Sequence, residues 1–164
     1  MKKTVLGLGI VLSIAFMYYF LYSPKYKEVS QEKPFSEILN KKLTTKRYAV
    51  ILKHPEHSIH EQYNYHFEDG NSYGMDSGLE IIADIPIGTE VVLDKAELHT
   101  GRVSGTTTAY VFGTIYSKEK KKRYDFQYPW GDYHLLFEDT PFWTFKLAFW
   151  QDKPLTQKYF IKVP

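Results

Sequence analysis

Hydrophobic and polar positions fall into three successive patterns along this chain. Residues 4–22 (TVLGLGIVLSIAFMYYFLY) carry no charge, and Lys2 and Lys3 stand directly before them. A helix of this length, rising ~1.5 Å per residue, reaches roughly 28 Å, close to the ~30 Å hydrocarbon core of a bilayer. The run predicts a single transmembrane helix over residues 1–22 that takes the lipid bilayer as its partner. Leu6, Ile10, Leu12, Ile14, Phe16 and Phe20 are its anchoring side chains, and Tyr18, Tyr19 and Tyr22 stand where an interfacial aromatic belt belongs. A cleaved signal peptide is the alternative, since residues 5–12 form an apolar core followed by the small Ser13 and Ala15. Cutting after Ala15 would leave the apolar end FMYYFLY in water, which favours the anchor.

The second pattern, residues 23–33 (SPKYKEVSQEK), is polar with no periodic apolar face and reads as a tether. Residues 34–164 are then the folded part. Phe35, Ile38, Leu39 and Leu43 recur at helical spacing after Pro34, which suits a first helical turn, and predict one short helix. Everything later alternates as strands do. Residues 47–53 (RYAVILK), 62–67 (QYNYHF), 79–85 (LEIIADI) and 89–93 (TEVVL) read as strands, with turn residues at Asp69-Gly70-Asn71 and Pro86-Ile87-Gly88. Residues 107–116 and 123–128 predict a β-hairpin with a charged tip over residues 117–122. Residues 143–149 (WTFKLAF) put Trp143, Phe145, Leu147 and Phe149 on one side, and residues 159–163 read as a closing edge strand. Gly113 inside its strand signals a bulge or a close backbone approach. The expected fold is mainly β: a small antiparallel β-barrel or sandwich with one short helix.

Residues 82–98 (IADIPIGTEVVLDKAEL) resemble the strand, Pro-x-Gly-Thr turn and strand of bacterial SH3-like modules. The resemblance implies an SH3-like barrel and, through it, peptide or cell-wall binding.

Net charge is only +2 over 164 residues, so whole-molecule attraction to nucleic acid is weak and no nucleic-acid partner is expected. The chain has no cysteine, which removes disulfides, a thiol nucleophile and a lipoprotein anchor. A folded part of this length supports a core without metal or disulfides. Lys25, Lys27, Lys33, Lys41 and Lys42 follow the apolar run and, counted alone, would hold the domain in the cytoplasm. Lys2 and Lys3 abut the run as in an export signal, and the expected placement is a single-pass membrane protein with an extracytoplasmic domain.

Four constellations bear on chemistry. His54, His57 and His60, with Glu61 and His66 beyond, offer metal ligands, but this spacing fans the rings apart on a helix, and Pro55 and Ser58 favour a solvated loop. The run Lys118-Glu119-Lys120-Lys121-Lys122-Arg123 is either an anion-docking patch or a hairpin tip in water. Tyr128, Trp130, Asp132 and Tyr133 surround Pro129 and Gly131; exposed rings beside an acid suit ligand binding, whereas a buried Trp130 is a core plug. Asp125, Asp132, Glu138 and Asp139 would serve a carboxylate hydrolase only if a cleft brought two of them together. No G-x-S-x-G, H-E-x-x-H or P-loop occurs, no cofactor is expected, and no catalytic residue is assigned. The expected function is a binding or interaction module anchored in a bacterial cell envelope, with a wall component or protein as partner. The alternatives are an envelope hydrolase using metal or paired carboxylates and a structural subunit of a membrane complex.

Overall fold

The computed structural model describes residues 12–13, 16–17, 25–53, 58–70, 79–101, 104–136 and 138–164. Its centre is an antiparallel meander of three long strands, β6 (Glu90–Thr100), β7 (Thr107–Ser117) and β8 (Lys122–His134). Strand alternation turns Val91, Leu93, Ala96, Leu98, Ala109, Val111, Ile115, Phe126, Tyr128 and Trp130 into one buried core. Lys95, Glu97, Tyr110, Phe112, Asp125 and Gln127 alternate with them on the opposite face.

Two bulges interrupt the meander. Between Leu93 and Lys95 the register slips opposite Gly113. A Cβ on Gly113 would stand 2.4 Å from the Val92 carbonyl oxygen and 3.0 Å from Leu93 Cα, so only glycine lets the two backbones meet there. The second bulge leaves Trp130 as the extra residue between Pro129 and Gly131, which pair with Tyr110 and Ala109. It also accommodates Pro129, because the outer edge of β8 is divided there: its lower part meets β4 (Tyr65–Asp69) at Phe126 and Gln127, and its upper part meets β9 (Phe142–Phe145) from Gly131 to His134.

Short strands complete the sheet. β1 (Lys25–Glu28) and β2 (Lys42–Thr44) lie along the outer edge of β6, and the single 3-10 turn Phe35–Glu37 between them drives Phe35 into the core. β3 (Ala49–Lys53) is flanked by β4 and β5 (Glu80–Ile85), giving the order β1-β6-β7-β8-β4-β3-β5. Rings fill the interior. Phe67 stacks on Phe149 at 3.9 Å between centroids, and Trp130 meets Phe145 at 4.6 Å and Trp150 at 5.0 Å.

Several expectations need correction. The sheet is mixed and open, neither a closed antiparallel barrel nor a sandwich: β4 runs parallel to β8, and among the described residues no ladder joins β5 to β1 or β2. Alternation reports which face a residue takes, not which strand pairs beside it, and β5 returns to the far side of β3 instead of closing the circle. The SH3-like barrel falls with it, although its Pro86–Thr89 turn is present. Residues 25–28, assigned to the tether, form β1, and Val29 is buried. The strand expected over residues 143–149 stops at Phe145, because Arg47 donates to the carbonyls of Leu147 and Ala148 and Lys46 N–H to that of Phe149. At the C-terminus, only Tyr159 bridges Trp143.

The single-pass membrane reading is also corrected. No helix among the described residues is long and apolar enough to cross a membrane. Of residues 4–22 only Leu12, Ser13, Phe16 and Met17 are described, in helical conformation; Leu6, Ile10, Ile14 and Phe20 lie outside the described residues. Hydropathy measures the transfer preference of a stretch, whereas a span needs one continuous helix of about 20 residues. The bilayer partner and the extracytoplasmic placement rested on that span.

Candidate binding groove

Two turns approach each other at the C-terminal ends of β5 and β7. Residues 86–89 form the first: Thr89 N–H donates to the Pro86 carbonyl at 3.3 Å, with Gly88 at φ +84°, a conformation glycine adopts without strain. Thr45, itself buried, fastens this turn. Its hydroxyl donates to the Pro86 carbonyl at 2.8 Å and accepts from Thr89 N–H at 3.0 Å, and its own carbonyl accepts from Gly88 N–H at 2.8 Å. The braced turn holds Ile87 outward, 67% exposed. The second turn is the β7–β8 tip, where the Ser117 hydroxyl accepts from Lys120 N–H at 3.3 Å and Lys121 takes φ +51°.

Between these turns lies a cavity of about 320 Å³ walled by Tyr48, Asp84, Pro86, Ile87, Tyr116 and Lys118. β5 approaches β7 here without a ladder, and the cavity lies between the C-terminal end of β5 and the β7–β8 tip. Tyr48 and Tyr116 are 38% and 48% exposed. The Tyr48 ring lies against the backbone of Gly70, where a Cβ would come within 2.2 Å of Cδ1, and its hydroxyl donates to the Asp84 carboxylate. That hydrogen bond, with burial and the charges of Asp84 and Glu119, pushes the Tyr48 pKa above its ordinary value and keeps the phenol protonated. Glu119 pairs with Lys120 at 3.0 Å. Asp84 forms no ion pair among the described residues.

A second polar cluster occupies the far face of the meander. The Glu97 side chain, 9% exposed, sits between Lys95 Nζ at 2.6 Å and His60 Nε2 at 2.5 Å. Burial pushes the Glu97 carboxyl up, but the hydrogen bonds and charges of Lys95 and His60 outweigh it and hold it below the ordinary glutamate value. Tyr63 donates to Asp94, the bulged residue of β6, at 2.8 Å, and Ile59 N–H donates to Gln127 Oε1 at 2.8 Å. His60 and Tyr63 also pack on Phe112, at 5.2 and 4.9 Å between centroids. These contacts fasten residues 58–64 across the meander.

The residues singled out from sequence are dispersed. Tyr128 and Trp130 lie within β8, not in a turn; both are buried, and Trp130 Nε1 donates to the Lys146 carbonyl at 2.8 Å. Tyr133 is half-buried against Trp143 at 5.0 Å between centroids, and Asp132 is exposed. His54 and His57 lie outside the described residues, while His60 is engaged by Glu97. No cluster of three metal-ligating side chains occurs among the described residues. Asp125, hydrogen-bonded by Thr114 at 2.9 Å, and Asp132 are seven positions apart in β8, a separation of roughly 23 Å along a strand. Glu138 faces Lys158 at 3.9 Å. Sequence reasoning marked both turns that wall the groove but not Tyr48, Asp84 or Tyr116, because their meeting depends on β3 lying beside β5. No protein family, curated protein or solved structure matches the chain.

Proposed function

We propose that the chain is a binding module that holds a short extended peptide segment in the groove between residues 86–89 and the β7–β8 tip. The observation that carries this reading is a cavity of about 320 Å³ framed by two exposed tyrosine rings and Ile87, at the C-terminal end of β5, the last strand in the sheet order. Exposed rings beside small apolar walls suit side chains that enter from solvent. A sheet-edge strand offers backbone donors and acceptors to an extended partner, which supplies affinity without demanding a particular sequence.

Panning a displayed library of random peptides against the whole chain tests the proposal. Peptides that bind it and lose binding to the double variant Tyr48→Ala, Tyr116→Ala support it. A library that yields no binders, or binders indifferent to the two substitutions, contradicts it.

A further inference from the structure

Resting on the peptide-binding reading, we infer that the segment held in this groove carries an arginine whose guanidinium meets the Asp84 carboxylate beside the tyrosine rings. Asp84 is the carboxylate of the lining that forms no ion pair among the described residues, although Lys120 at the facing tip feels its charge. Its carboxylate accepts from the Tyr48 hydroxyl, a neutral donor, and no cation pairs with it among the described residues. Glu119, the other carboxylate of the lining, already has Lys120 at 3.0 Å. A carboxylate held at the edge of an aromatic-walled cavity attracts a cation that also tolerates a π-face. Arginine meets both conditions better than lysine, because its planar guanidinium stacks on rings and forks onto a carboxylate.

The Tyr48 ring rests on Gly70 and its hydroxyl donates to the Asp84 carboxylate, so the ring and the charge stand side by side before a ligand arrives. Lys118 works against the same ligand. It lines the groove with no ion-pair partner among the described residues, and its positive charge weakens the field that Asp84 projects into the cavity.

The test uses the full chain and two capped tripeptides, acetyl-Gly-Arg-Gly-amide and its citrulline isostere, titrated while backbone and tyrosine resonances are followed by NMR. The arginine peptide is expected to shift Tyr48, Asp84 and Tyr116 saturably and to bind about tenfold more tightly than the citrulline peptide. Asp84→Asn brings the two within about twofold of each other, and Lys118→Gln widens the gap. Equal binding of both peptides at the groove overturns the cation claim while leaving peptide binding in place. Tighter binding of phosphocholine than of the arginine peptide overturns it in favour of a lipid headgroup. Absence of any shift at these residues up to millimolar peptide also overturns it, and groove-dependent library peptides that lack arginine show that the peptide reading survives alone.

Discussion

At the level of single residues, the fold depends on places where a side chain is missing. Gly113 is the plainest, because any Cβ there meets backbone on the neighbouring strand, and backbone at a bulge has no rotamer to yield. Gly113→Ala is expected to cost about 3 kcal/mol, lowering the melting temperature by roughly 6–12 °C for a chain of this size. Thermal unfolding with no measurable change would mean that the bulge relaxes freely. The sequence announced this glycine by its position inside a β-branched and aromatic run. It did not announce Gly70 as the support of Tyr48, since a glycine in Asp-Gly-Asn already has a sufficient explanation as a turn residue. Trp130 shows the same ambiguity from the other side. Flanking Pro129 and Gly131 suggested a loop, yet both are accommodated inside a strand by a bulge and a divided edge, so the indole lies in the core.

Among elements, the long hairpin and the Pro86–Thr89 turn were legible because local chemistry determines them: alternation sets the strands, and Gly88 sets the turn. Partners were not legible. β1 is a polar strand with no inward apolar pattern, held by the edge of β6, and the parallel β4–β8 contact joins segments far apart in sequence. The attachment of residues 58–64 is another such pairing, and it carries a pH dependence. Glu97 is held below its ordinary value, so its contribution is complete above the usual glutamate range and is lost as pH falls through the lowered native value. Asp94 and Glu68 are pushed up chiefly by burial and favour the fold as pH falls, so the informative quantity is the difference between wild type and variant. Glu97→Gln should cost about 1–3 kcal/mol at neutral pH, and that difference should shrink as pH drops below ~4. Urea unfolding of both chains at pH 7 and pH 3.5 checks it. A difference that stays constant would show that the charge of Glu97 is not what secures the segment.

For the whole molecule, the decisive property is that the nine strands among the described residues pack on an aromatic core without a closing ladder. Composition and alternation made a mainly β domain legible, but whether a sheet closes depends on register and shear summed over every strand, which no local pattern reports. The proposed function draws on that incompleteness: among the described residues β5 pairs only with β3, and the turn that follows it faces the β7–β8 tip, the two supplying side chains of the groove. Amide hydrogen exchange of β5 therefore tests the account most directly. In the free chain, the alternate β5 amides not bonded to β3 should exchange far faster than those of β7. A peptide selected on the groove should slow them while leaving the β6–β8 meander unchanged. β5 amides that are already as protected as those of β7 in the free chain, or protection on peptide addition that appears elsewhere and spares β5, would contradict the account.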